Sequence, residues 1–376
     1  MSTEINAGLP EVLFHGCSLK TRHAHVHDES CGNHATAGAA PAGGARRQTM
    51  VGGKRVRTID VHCHCVLPET LAMMGLRLED QRGPGIGEVG LRRVREMDEA
   101  GIDVEAISIN PFWYKAERDV AEKLIKTQNE KLTELCSAFP DRLVGMASVS
   151  LQFPDLAVQQ LEYAIKKLGM KGVAVGGSVA GEPFSDPKFH PFWAKVEELN
   201  QLVFIHPQGT PELAKKLKGN GWLTNVIGNP LDTTIALAHL ILEGTLDKFP
   251  NLKICSAHGG GYLPSYAPRM DNGCRVAPEE CNPAVKLKKK PTEYLRQMYF
   301  DSLIFTDEAL RHLAAEVGSS QIVIGTDHPI PWWPQPVDHL LKAPGFTDEE
   351  RIAMLGGTAD RKSTRLNSSH GYISYA

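Results

Sequence analysis

The chain has 376 residues, 42% of them hydrophobic and 23% charged, with a formal net charge of −3. That balance suits an ordinary globular protein and gives no general attraction to nucleic acid or an anionic membrane surface. No apolar run approaches the roughly 18 residues of a membrane span. Eight cysteines are too dilute for a disulfide scaffold, so a cytoplasmic setting is expected. Fifteen histidines are the outlier, and their placement decides the reading.

Residues 1–54 form a His-, Gly- and Ala-rich segment without an apolar period, read as a flexible arm. Its His15, His23, His25, His27 and His34, with Cys17 and Cys31, fit no zinc-finger spacing. From Arg55 onward, short β-rich runs alternate with helical patterns. Strands are predicted at 56–62, 104–110, 143–149, 171–175, 202–206, 252–258, 298–301 and 322–327. Helices are predicted near 90–100, 118–138, 155–168, 188–199, 231–248, 262–273, 307–317 and 347–355. Eight βα units point to an α/β fold and one (β/α)8 TIM barrel over residues 55–360, with its active site at the carboxyl ends of the strands. A doubly wound open sheet is the alternative. Two long connections, Gly209–Gly228 and Val276–Pro291, stand out, and the lysines of the second read as a solvated loop. Residues 361–376 (RKSTRLNSSHGYISYA) break the pattern abruptly and read as a non-native tail similar to translated adapter sequence.

The strongest motif is Asp60-Val-His62-Cys-His64, at the end of the first strand. Residues two apart on a strand face the same side, so His62 and His64 address one point, while Cys63 and Cys65 turn toward the barrel wall. Neutral imidazole is the commonest side-chain ligand of divalent metals. His206, His258 and Asp327 close three further strands. Four strands ending in His or Asp at one mouth are hard to explain by packing, and a divalent cation would compensate the buried charge. Gly259–Gly261 follow His258 and allow a tight turn, but they lack the spacing of a phosphate loop.

These residues belong to a longer resemblance. IDVHCH, REMDEAGID, FPDRLVGMASV, FIHPQG, the run LEGTLDKFPNLKICSAHGGGYLPSYAPRMD and IGTDHPIP occur in the order seen in the amidohydrolase superfamily, metal-dependent hydrolases in type. Within it the chain resembles the aminocarboxymuconate-semialdehyde decarboxylase branch. The resemblance implies His62, His64, His206 and Asp327 as metal ligands, with Asp327 also catalytic. It implies His258 as an acid/base group over the site. It implies a homodimer in which Arg269 holds a substrate carboxylate in the neighbouring subunit's site, a task that suits guanidinium.

The chain departs from that pattern in places. Gln208 stands where relatives with the semialdehyde activity carry Trp, and His328 where some carry Tyr. Arg82 is the only positional candidate for a second substrate arginine. The stretch 110–115 (NPFWYK), with Trp113 at its centre, is a candidate pocket wall.

The expected activity is decarboxylation of a small aromatic or muconate-type acid with one divalent metal and no organic cofactor. Zn2+ is the first choice of metal and Mn2+ the second. Hydrolysis or hydration of an ester, amide or lactone on the same residues is the alternative.

Overall fold

A computed structural model describes residues 46–81, 86–332 and 335–362. Eight parallel strands alternate with helices: β1 (Ile59–Cys65), β2 (Val104–Ile109), β3 (Leu143–Gly145), β4 (Val173–Val175), β5 (Leu202–Ile205), β6 (Lys253–Ser256), β7 (Tyr299–Asp301) and β8 (Ile322–Val323). Continuous pairing gives one run from β1 to β3 and another from β4 to β8. Three single bridges join the runs, one at the β3–β4 seam and two at the β1–β8 seam, where Cys63 also pairs with His328. Ala147, just beyond β3, pairs with Val173, and Asp60 pairs with Ile324 just beyond β8. The Ala147 amide donates to Gly172 and the Val61 amide to Ile324, at 2.8 and 3.0 Å. The ring is therefore closed, as a (β/α)8 barrel requires. The open-sheet alternative falls.

The barrel forms because its strands are buried on both faces. All seven residues of β1 and all six of β2 are buried, as expected for parallel strands lined by side chains within and helices without. The outer helices begin and stop on local signals. Helix α1 (Leu91–Ala100) ends on Gly101, which adopts a left-handed φ of 78°. The following helices, α2 (Arg118–Ser137), α3 (Pro154–Lys166), α4 (His190–Glu198), α5 (Gly228–Leu242), α6 (Leu263–Val276), α7 (Asp307–Val317) and α8 (Asp348–Ile352), match the predicted series. Thr306 and Thr347 cap α7 and α8 through their side-chain oxygens. Among the described residues no helix is long and apolar enough to cross a membrane.

Two expectations need correction. The arm does not extend to residue 54. Met50–Val51 and Lys54–Arg55 form a hairpin, Thr49 and Val51 are buried, and Arg46 and Arg55 pair with Asp103 while Arg47 pairs with Asp338. Asp103 precedes β2, so this hairpin packs at the amino-terminal end of the barrel. Composition concealed it, because arginines anchor it rather than an apolar run. Residues 1–45 and 363–376, the rest of the arm and nearly all of the tail, lie outside the described residues. Cys274 and Cys281 form a disulfide at the end of α6, which the low cysteine density did not anticipate. The described free cysteines, Cys63, Cys65, Cys136 and Cys255, are all buried.

Outside the strands, Arg93 of α1 clamps the barrel mouth. Its guanidinium is 2% exposed, pairs with Glu105 of β2, and donates to the carbonyls of His64 (3.0 Å) and His328 (3.3 Å). It thereby ties the ends of β1 and β8 together. Removing one partner strands a buried charge. Arg93→Leu is expected to destabilise the fold by about 3–5 kcal/mol, read from the urea midpoint, because buried Glu105 loses its guanidinium partner and keeps only His328. A midpoint equal to that of the parent chain would refute the clamp.

Candidate metal centre

His62 and His64 project from the same face of β1, as their spacing requires. His206 follows β5 and Asp327 follows β8, and all four side chains are buried. One ligand atom from each lies within 4.8 Å of the others. Asp327 Oδ1 stands 3.3 Å from His62 Nε2 and 3.1 Å from His64 Nε2. Both of those nitrogens are buried and find no hydrogen-bond partner of proper geometry. Buried imidazole nitrogens left this way are unusual unless something else occupies their lone pairs. The donor set, three imidazoles and a carboxylate, fits a divalent cation.

The opposite ring nitrogens explain why the Nε2 atoms are available. Ser108 Oγ donates to the Cys63 carbonyl at 3.2 Å, so it must accept from His64 Nδ1 at 2.8 Å. That places the proton on Nδ1 and the lone pair on Nε2. The Asn110 amide lies 3.1 Å from His206 Nδ1. An amide has nearly the same shape either way round, and with its oxygen toward the ring it accepts the Nδ1 proton. His62 Nδ1 meets Asp301 Oδ2 at 2.6 Å, a carboxylate–histidine pair of the kind that raises ligand basicity.

Asp301 is the residue on which these contacts converge. It ends β7 and also accepts the backbone amides of His258 (2.9 Å), Gly259 (2.8 Å) and Leu303 (3.1 Å). Burial alone would raise its pKa, but His62 and these donors hold it below the ordinary carboxylate range. Burial likewise pulls His62 down, yet Asp327 and Asp301 outweigh it and push the pair's imidazole up to about 10. Burial dominates at His64 and lowers it to about 4, leaving a neutral ring. His206 is driven well below its usual value mainly by burial.

His258 sits over this group. Its ring centroid is 5.1 Å from that of His62 and 5.6 Å from that of His206. Its Nδ1 is buried without a hydrogen-bond partner, and burial lowers its pKa to about 4. It is not among the four converging ligands. His258 and Asp327 have φ of 57° and 62°, strained values for side chains with a Cβ, of the kind that gathers at functional sites. The glycine turn beside His258 is a steric necessity: a Cβ on Gly261 would come within 2.0 Å of the Pro230 carbonyl oxygen.

The remaining sequence candidates divide. Gln208 and Trp113 come together, lining a cavity of about 310 Å³ with Lys115, Ser178, Thr210 and Asp232. None of the four converging residues is part of that lining. Arg269 lies exposed on α6 and forms no ion pair with any described residue. Arg82 lies outside the described residues. His328 turns away from the centre, its Nδ1 2.7 Å from Glu105 and its Nε2 3.1 Å from Glu96, so it does not shape the pocket as its position beside Asp327 suggested. Cys63 and Cys65 are buried in the wall, and burial raises both thiols, Cys65 to about 12.

Sequence reasoning missed Asp301, Ser108, Asn110 and Trp332, whose indole Nε1 donates to Asp327 Oδ2 at 2.7 Å. The one usable signal was that Asp301, like the others, closes a strand.

A profile of the amidohydrolase family matches residues 59–361. A 2-amino-3-carboxymuconate-6-semialdehyde decarboxylase from Dictyostelium discoideum is 31% identical over 270 residues, covering 71% of this chain and 74% of its own. A gamma-resorcylate decarboxylase from Rhodococcus jostii is 30% identical over 252 residues, covering 63% and 76%. Among solved structures, a dihydroxybenzoic acid decarboxylase from a Polaromonas species, with bound manganese and 2-nitroresorcinol, superposes with a TM-score of 0.71 at 24% identity, covering 84% of this chain and all of that one.

Asp301→Asn should cost about 10- to 100-fold in affinity for a divalent ion, measured by titrating the metal-stripped protein. The amide cannot be the anionic acceptor that fixes the His62 tautomer. Unchanged affinity would show that Asp301 serves only the backbone turn.

Proposed function

The chain belongs to the amidohydrolase family, and on that premise we propose that it is a metal-dependent carboxy-lyase acting on a small aromatic or muconate-type carboxylic acid. The observation that carries the proposal is the buried convergence of His62, His64, His206 and Asp327 beneath His258. The named relatives above are decarboxylases, which favours this reading over hydrolysis.

His62, His64, His206 and Asp327 would hold a single divalent ion. When bound, that ion polarises the substrate's oxygens and stabilises the electrons that shift during the reaction. Zn2+ suits the His-rich donor set, with Mn2+, as in the Polaromonas structure, as the alternative; elemental analysis of the purified protein decides between them. No organic cofactor is required. His258, neutral when free, would relay a proton from solvent to the carbon that bears the carboxylate. Asp327 serves as a ligand and temporary proton acceptor. The bond to the carboxyl carbon breaks, its electron pair restores conjugation, and carbon dioxide leaves. One proton is consumed for each carbon dioxide released.

The surrounding residues bind the substrate. Trp113 and Gln208 would contact the part of the substrate remote from the metal; the cavity of about 310 Å³ that they line has neither a metal ligand nor His258 in its wall. Arg269, exposed on α6, would reach the second subunit of a homodimer and hold the substrate's carboxylate there. The expected setting is cytoplasmic.

The test is carbon dioxide release from hydroxybenzoates and aminocarboxymuconate-type acids by the metal-loaded protein. His258→Ala should lower kcat by about 10²- to 10⁴-fold. Arg269→Ala should chiefly raise KM. At a substrate concentration low enough that Arg269→Ala alone is nearly silent, mixing the two variants should restore roughly a quarter of full activity, because half the dimers would combine one intact His258 with a partner's intact Arg269 at one of two sites. No carbon dioxide from any of these acids, together with turnover of an ester or lactone, would overturn the proposal.

A further inference from the structure

Trp332 lies in the loop after β8, five residues beyond Asp327. Its indole N–H donates to Asp327 Oδ2 at 2.7 Å, while Oδ1 of the same carboxylate faces His62 and His64 at 3.3 and 3.1 Å. The two oxygens therefore have separate tasks. A carboxylate free to rotate can offer either oxygen, or both, to a cation. One whose outer oxygen accepts a short, well-directed hydrogen bond presents the other alone. The bond also withdraws charge from the carboxylate, which tempers its basicity.

Trp332 is itself held in place. Its ring stacks on Trp222, with centroids 5.5 Å apart and planes 11° from parallel, and Phe305 lies 6.0 Å away. Trp222, Trp332 and Phe305 come from three different loops, after β5, β8 and β7 respectively. Trp222 has a φ of 55°, a left-handed backbone unusual for a bulky residue, immediately before the short helix Leu223–Val226. Offset stacking of two indoles fixes an orientation with few rotatable bonds to restrain.

We propose that Trp332 is a positioning residue that locks Asp327 into single-oxygen ligation, with Trp222 as its buttress. The inference rests on the metal reading of the site, and it extends that reading to the selection of one ligand atom. It does not depend on which reaction the centre performs.

Two variants separate donor from ring. Trp332→Phe keeps an aromatic ring against Trp222 and removes the N–H, whereas Trp332→Leu removes both. Each is stripped of metal and titrated with Mn2+, free ion being followed by electron paramagnetic resonance; thermal melting confirms that each variant is folded. Both variants should bind Mn2+ about 10- to 100-fold more weakly than the parent. At saturating Mn2+, kcat should fall with KM nearly unchanged. If Trp332→Phe keeps parental Mn2+ affinity while Trp332→Leu loses it, the residue acts by packing alone and the proposal is wrong. Parental affinity in both variants refutes it as well. Failure of the decarboxylase assay would leave the Mn2+ result interpretable, so the two readings fail separately.

Discussion

Asp327 has no exposed surface and faces two imidazole nitrogens, and much of the barrel mouth is arranged to make that burial tolerable. An ionised carboxylate deep in protein costs several kcal/mol unless it is paired and hydrogen-bonded. Here Trp332 satisfies one oxygen and the histidines face the other. The histidines need restraint in turn. Asp301, Ser108 and Asn110 each engage one Nδ1 and turn the Nε2 atoms toward a common centre. Outside the strands, Arg93 ties the His64 and His328 carbonyls together and keeps the first and last strands in register. The result is a buried cluster in which electrostatic interactions are stronger than in water.

Much of this was legible in the sequence, because the barrel repeats a simple local pattern. β-rich runs alternate with helical ones, and each of four runs ends in His or Asp at the position that a closed barrel brings to one mouth. The His62–His64 spacing alone predicted a shared face. The partners that orient the ligands were not legible. Asp301 meets His62 across 239 positions of sequence, and nothing in Tyr299–Asp301 distinguishes its carboxylate from an ordinary strand terminus. His328 misled for the opposite reason. Adjacent to Asp327 in sequence, it instead pairs with Glu105 and Glu96. The folded hairpin at residues 50–55 was hidden by a composition read as unstructured.

The fold divides the work of the site. Metal-facing groups stand at or just beyond the ends of strands, where the barrel holds them rigidly. Residues that would recognise substrate lie on loops and helix surfaces: Trp113 and Gln208 around one cavity, Arg269 on the exposed side of α6. Loops tolerate change far better than barrel strands do, so one metal centre can serve different acids through different walls.

The central claim is that this buried centre replaces a substrate carboxylate with a proton. It is tested most directly by following a ring-labelled hydroxybenzoate by nuclear magnetic resonance in D2O, with metal-stripped protein and with the same protein after metal is restored. The account predicts a product carrying one deuterium at the carbon that lost its carboxylate, formed only when metal is present. A product that keeps its carboxylate, or deuterium incorporation at the same rate without metal, would contradict it.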